Sequence, residues 1–354
     1  MPAPATVFVA SDYRHDASWL GQVVGDLRAR GLQVIDGPRQ APGTVTHFDP
    51  AQGERLFAGV DVIVMTTRSV LSRDLLDTAT RLRGIVFPTI GTESLDLAAA
   101  SALGVIVAHG PTPENFLSMA ESTVMLMLAL MYRLHASEQA LRRSLTAPAQ
   151  PQAQMLRGKT IGLVGPGRIA SAVIERLQGW GVDILVSGRT QGQGPQAMAQ
   201  QVPLPELLAR SDIVSIHATL TPETRHLIGA AELACMKPSA FLVNTARGGI
   251  VDEEALHQAL AQGRIAGAAL DTFEVEPLPA GSPLRALEHL ILTPHSVGHT
   301  RETLASVPLA LMENVERILR GELPLYCRNP QAEPAWRQRL AHLLGPDAAG
   351  PISP

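Results

Sequence analysis

Cysteine is nearly absent from this chain, with only Cys235 and Cys327 among 354 residues. That scarcity excludes a disulfide framework and points to a reducing compartment. Neither cysteine has a sequence neighbour that suggests metal ligation or nucleophilic chemistry, so both read as packing residues. A basic excess is missing too. The 29 Lys and Arg against 33 Asp and Glu leave a formal charge of -4, which gives no overall field for nucleic acid or an anionic membrane. Long apolar runs are also lacking: the strongest, Val124 to Met131, is far too short to span a bilayer. The opening Met1-Pro-Ala-Pro-Ala-Thr-Val-Phe-Val-Ala10 lacks the basic start and long apolar region of a secretory leader. The cytoplasm is the expected location, with neither nucleic acid nor membrane as a partner.

What remains is an ordinary globular composition, 45% hydrophobic and 18% charged, long enough for two cores. Thr6 to Ala10 reads as a buried strand. A helix follows from about Trp19 to Arg30, then a strand at Leu32 to Ile35. The alternation resumes with a strand at Val60 to Thr66, a helix at Arg73 to Ala79 and a strand at Gly84 to Phe87. Strands alternating with amphipathic helices predict an α/β fold with a parallel sheet and right-handed crossovers. Between Ala120 and Arg133 the pattern changes to a helix that is apolar nearly all round, which predicts burial in a core or at a subunit interface. Its methionines, with Met119 just before it, suit core filling or an adaptable binding surface. The tail after Asn329 carries five prolines and one amphipathic piece, Trp336 to Leu344, expected to be partly disordered or packed on the surface.

A second parallel-sheet signal starts at Lys159. There an apolar strand runs into Gly165-Pro-Gly167-Arg168-Ile169-Ala170, followed by a helix through Leu177. Gly-x-Gly-x-x-Ala between strand and helix is the dinucleotide-binding turn. Its glycines let the backbone approach a pyrophosphate, and the helix N-terminus supplies free N–H groups. An NAD enzyme usually places Asp or Glu at the end of the next strand, against the ribose hydroxyls. Here Ile184-Leu-Val-Ser-Gly-Arg-Thr190 contains no acid, and Asp183 lies at the strand's other end. Arg189, helped by Ser187 and Thr190, could clasp a 2′-phosphate, which favours NADP over NAD. The other reading is a surface Arg in a turn.

Three further stretches carry chemistry: Asn244-Thr-Ala-Arg-Gly-Gly-Ile-Val-Asp-Glu253, Ala269-Leu-Asp-Thr-Phe-Glu-Val-Glu-Pro277 and Leu292-Thr-Pro-His-Ser296. Arg247 can hold a carboxylate in a forked pair. His295 can give a proton to an oxygen that becomes a hydroxyl. Glu276 can orient the imidazole and favour its charged form. Alone, each would pass for a loop or turn residue. Together and in this order, they are what hydride transfer to a 2-oxo acid requires.

In these stretches the chain resembles the D-isomer-specific 2-hydroxyacid dehydrogenases, from about residue 55 to about 325. The resemblance implies two Rossmann-like, doubly wound parallel-sheet domains. A discontinuous, flavodoxin-like substrate domain would span 1–109 and 302–330, and the dinucleotide-binding domain 110–301, leaving 331–354 as a tail. It implies NAD(P) as cofactor, a small 2-oxo or 2-hydroxy acid as substrate, no metal, and a homodimer formed through the long apolar helix. It also implies that Thr224 lies in a loop beside the adenosine, that Thr245 and Ala246 line the nicotinamide pocket, and that Asp271 accepts from the carboxamide. For Asp271 the bland reading is a turn cap. On the substrate side the family's Gly-x-Gly-x-Asp run becomes Thr89-Ile-Gly91-Thr92-Glu93, which keeps Gly91 alone and puts the substrate's identity in question. Arg68 is either a further anion contact or a solvated loop residue. Rival functions are a dinucleotide-sensing regulator on the same fold and a phosphite- or formate-type anion dehydrogenase.

Overall fold

A computed structural model describes residues 4–16, 18–143, 153–188 and 197–345. The chain forms two compact units, Met1–Glu114 with Arg301–Pro354, and Asn115–Thr300. Both are built on parallel sheets flanked by helices.

The first unit's main sheet has five strands in the order Gln33–Asp36, Thr6–Val9, Val62–Val64, Gly84–Val86, Ile106–Ala108, every pair parallel. This is the doubly wound 2-1-3-4-5 order of flavodoxin-like sheets. Its central strands are apolar throughout because both faces are covered. Side chains alternate between the faces. Phe8, Ile63, Ile85 and Val107 pack with Phe57 and Leu75 on one side. Val7, Val9, Val62, Val64 and Val86 pack with Leu311, Val315 and Ile318 on the other. Those last three lie on the helix Arg301–Leu319, which is how the chain re-enters this unit. Gly84 is small because Ile318 presses on it: a Cβ there would come within 2.8 Å of Ile318 Cδ1.

The amphipathic piece of the tail packs onto the first unit through one face. Glu333–Leu344 is a helix whose Trp336 and Leu340 are fully buried in the first unit's core. Spaced four apart, they share one helix face. Trp336 Nε1 donates to the Arg83 carbonyl at 2.8 Å. The Arg339 guanidinium donates to the carbonyls of Ala79, Thr80, Leu82 and Leu103. Residues 346–354 of the tail lie outside the described residues.

In the second unit, seven parallel strands lie in the order Gln200–Gln201, Asp183–Ser187, Thr160–Val164, Ile213–Ile216, Phe241–Asn244, Gly267–Leu270, Leu290–Leu292. This is the 3-2-1-4-5-6 arrangement of dinucleotide-binding sheets with one strand added. Order reverses beside Thr160–Val164, so the crevice at that strand's carboxyl end is where a ligand belongs.

The long apolar helix runs over Pro113–Met131 and buries one side of itself within its own chain. Ala120, Thr123, Val124, Met127 and Leu130 are buried, whereas Met125 is 51% exposed. Arg133 then takes a left-handed φ of 50° and a shorter helix, Leu134–Arg142, follows with no buried residue. Among the described residues no single helix is long and apolar enough to cross a membrane. These two helices pass that test only jointly, across a 58° bend.

Candidate active site

At the reversal point, Gly165 holds a φ of 95°, and a Cβ on it would lie 2.5 Å from Ala218 N. Only glycine combines that conformation with that contact. Gly167, the N-cap of the helix Arg168–Arg176, has open space where its Cβ would be and provides no side-chain cap. A tight glycine turn leading straight into a helix N-terminus is the arrangement that receives a pyrophosphate. Arg168 is exposed and Ile169 half-buried at its rim. Ser187, half-buried, ends the neighbouring strand opposite Val164, and its carbonyl accepts from Gly165 N at 2.8 Å. Asp183 begins that strand, level with Thr160 and away from the crevice. Arg189 and Thr190, the candidate phosphate clasp, lie outside the described residues. The residues present fit a dinucleotide.

Beyond the next strand, Ser215 Oγ and His217 Nε2 meet at 3.0 Å. Burial pushes the His217 pKa down to about 4, so its imidazole is neutral near pH 7. The Thr224 hydroxyl donates to the Thr219 carbonyl at 2.7 Å and accepts from Thr221 N at 2.7 Å. It thus shapes the 219–224 turn.

Arg247 follows the strand Phe241–Asn244. Asn244, fully buried, brackets the loop: its Oδ1 accepts from Ala246 N at 3.1 Å and its Nδ2 donates to the Arg247 carbonyl at 3.0 Å. Thr245 is buried with its hydroxyl 3.3 Å from that of Thr123. Arg247 Nη1 donates to the Ala246 carbonyl at 2.7 Å. Reading the sequence for charge missed Asn244. The signal was there, since an Asn at a strand end commonly bonds the backbone just beyond it.

His295 sits in the loop after Leu290–Leu292 with a φ of 53°. Its Nδ1 lies 2.8 and 2.9 Å from the two Glu276 carboxylate oxygens. Among the described residues, its Nε2 makes no hydrogen bond. Glu276 is fixed in turn, with Oε1 accepting from Phe273 N at 3.1 Å. Asp271, buried, uses Oδ1 to accept from Thr293 Oγ1 at 2.7 Å, Ser296 N at 3.0 Å and Val297 N at 3.2 Å. This is the turn-cap geometry, and it holds the backbone on both sides of His295.

In the first unit, Arg68 is not a solvated loop residue. Its guanidinium carbon stacks 5.0 Å from the Tyr13 ring centroid, and its Nε lies 3.8 Å from the buried Asp12 carboxylate. Gly91 is half-buried, its carbonyl 3.4 Å from the Thr89 hydroxyl. Thr92 is 8% exposed, and its carbonyl accepts from Leu95 N. Among the described residues no group of three or more His, Cys, Asp or Glu could hold a metal ion.

Residues 124–297 match the family model described as D-isomer specific 2-hydroxyacid dehydrogenase, NAD binding domain. The chain is 40% identical over 260 residues to a glyoxylate reductase from Aeropyrum pernix, covering 71% of this chain and 77% of that protein. It is 36% identical over 266 residues to a D-3-phosphoglycerate dehydrogenase from Methanocaldococcus jannaschii, covering 74% of this chain but only 50% of that longer relative. Among solved structures, a glyoxylate reductase from Paecilomyes thermophila superposes with a TM-score of 0.81 at 26% identity, covering 94% of this chain and 100% of that one. With its glycine turn, seven-stranded sheet and these relatives, the chain belongs to the D-isomer specific 2-hydroxyacid dehydrogenase family, NAD(P)-dependent oxidoreductases acting on CH–OH donors.

Proposed function

We propose that this chain reduces a small 2-oxo acid to the D-2-hydroxy acid, with the reverse reaction open to it, and that Arg247, Glu276 and His295 carry the chemistry. The observation behind this reading is the imidazole of His295, gripped at Nδ1 by both Glu276 oxygens while Nε2 makes no hydrogen bond among the described residues. The carboxylate fixes the ring and stabilises the imidazolium, so that Nε2 carries the proton for transfer. Arg247 pairs with the substrate carboxylate and polarises the adjoining carbonyl. The bound nicotinamide supplies the hydride. As the carbonyl carbon accepts it, Nε2 protonates the oxygen and the charge that develops there is quenched.

On the cofactor side, Gly165, Gly167, Arg168 and Ile169 take the pyrophosphate, and Ser187, Arg189 and Thr190 take the adenosine ribose or its 2′-phosphate. Thr224, Thr245, Ala246 and Asp271 complete the dinucleotide contacts, the last through its second carboxylate oxygen. NADP is preferred over NAD because the strand Asp183–Ser187 ends without an acid. Arg68, Gly91, Thr92 and Arg247 are the proposed substrate contacts. The resemblance to glyoxylate reductases favours glyoxylate or hydroxypyruvate. A cytoplasmic homodimer belongs to the same reading, supported by Met125, Tyr132, Leu134 and Leu141, which are 51%, 51%, 63% and 78% exposed.

The test is oxidation of NADPH and NADH with glyoxylate, hydroxypyruvate, pyruvate and a bulky aromatic oxo acid, beside Arg247→Ala. The expected result is turnover on a small oxo acid, faster with NADPH, and lost in the variant. Cofactor binding without turnover on any of them would overturn the reading in favour of a dinucleotide sensor or a phosphite- or formate-type dehydrogenase.

A further inference from the structure

The loops bearing Arg247 and Glu276 are joined by a device that neither motif advertises. Glu253 opens the helix Glu253–Ala261, six residues after Arg247, and Glu274 lies two residues before Glu276. Each carboxylate accepts from the other residue's backbone amide: Glu253 N donates to Glu274 Oε1 at 3.1 Å, and Glu274 N to Glu253 Oε1 at 2.6 Å. The two backbones touch beside this exchange, since a Cβ on Gly248 would lie 1.9 Å from the Phe273 carbonyl carbon. A third segment joins them. His226 Nε2 lies 3.2 Å from Glu274 Oε1, and its amide donates to the Gly249 carbonyl at 2.8 Å.

Two like charges held this close are costly unless something else favours the arrangement. Burial, together with the charges of Glu274 and Glu276, raises the Glu253 pKa, even though the Glu274 amide opposes the rise. Surface solubility would be better served by carboxylates that point apart. The reciprocal bonds instead fix the distance from the Arg247 loop to the Glu276 loop.

We infer that Glu253 and Glu274 are positioning residues for the reduction: their clasp holds Arg247 and the Glu276–His295 pair in register. This rests on the reading of Arg247, Glu276 and His295 given above. The charged groups around His295 are then Glu276 on its ring and Asp271 on its loop. Behind them stand Glu253, Glu274 and its partner His226, with Arg247 the cation of the facing loop.

The experiment compares Glu274→Gln, Glu274→Ala and Glu253→Gln in the full-length enzyme, measuring kcat and the KM of oxo acid and cofactor separately, with thermal melting as a check on folding. Glu274→Gln keeps an acceptor for Glu253 N and removes the charge. It is expected to keep kcat and cofactor KM within about threefold of wild type. Glu253→Gln, which likewise keeps an acceptor for the facing amide, is expected to do the same. Glu274→Ala also opens the clasp and is expected to lower kcat roughly tenfold, with cofactor KM nearly unchanged. A Glu274→Ala kcat that falls only with the fraction folded, or Gln variants that lose as much kcat as Glu274→Ala, would overturn the inference. His295→Gln, measured in parallel, separates the two claims: full activity there defeats the catalytic reading itself, whatever the clasp variants do.

Discussion

Each unit reverses its strand order beside its first strand, but the two fill that point in opposite ways. In the 115–300 unit the chain leaves Thr160–Val164 through Gly165-Pro166-Gly167 and enters a helix at once, its N-cap Gly167 offering no side chain. In the other unit the chain leaves Thr6–Val9 and makes an extended turn before the helix begins at Trp19. Side chains pack that turn. Asp12 accepts from the Thr66 hydroxyl at 2.6 Å and from Arg14 N at 3.0 Å. Asp16 Oδ1 accepts from Asp12 N, and Gln40 Nε2 donates to the Arg68 carbonyl. One architecture thus offers an open, N–H-lined turn in one case and a closed, acid-filled one in the other. Capacity for a phosphate follows the chemistry of the turn rather than the winding of the sheet.

The largest expected effect tests whether the closed unit is mainly structural. Trp336→Ala empties a fully buried site and removes a bond to the Arg83 carbonyl, so urea unfolding should register a loss of about 3–5 kcal/mol. Dinucleotide affinity should stay near wild type, and an affinity loss matching the stability loss would erase the contrast. Gly165→Val drives a side chain against Ala218 in the open turn. Fluorescence titration should show dinucleotide binding weakened at least about a hundredfold, or about 2.7 kcal/mol. Near-normal affinity would mean the turn is not the phosphate site. Asp12→Ala leaves the Thr66 hydroxyl and Arg14 amide without their acceptor and should cost about 1–3 kcal/mol of stability, again sparing the cofactor.

One further effect depends on pH. The folded-state pKa of His217 is about 4, below the ordinary histidine value, so the unfolded chain binds its proton more readily. That contribution to stability is complete above about pH 6.5 and is lost as pH falls from there towards 4. Urea midpoints across that window should fall more steeply for the wild type than for His217→Asn. Parallel slopes would show that His217 is not held neutral by the fold.

Much of this was legible in the sequence where residue type alone decides the outcome. Apolar strands such as Thr6–Val9 and Thr160–Val164 announce sheets covered on both faces, and Gly165 announces a turn no other residue could make. The Glu276–His295 contact was legible because charge and imidazole are rare in apolar surroundings. Less legible was anything settled by distant partners. The amphipathic spacing of Trp336 and Leu340 was visible, but not that Arg83, 253 positions away, receives the indole. The half-exposed Met125 was hidden for the same reason: an apolar run does not reveal which face lacks a neighbour. Asn244, Glu253 and Glu274 act through backbone amides, which look alike in every sequence. Asp271 was readable as a cofactor contact or a turn cap, and only the three bonds to its Oδ1 display the cap.

The central claim is that His295 Nε2 delivers the proton, and kcat for 2-oxo acid reduction by His295→Gln, with dinucleotide affinity measured alongside, tests it most directly. The account predicts a fall in kcat of about 10²- to 10⁴-fold with affinity unchanged. A variant that turns over within about twofold of wild type would contradict it.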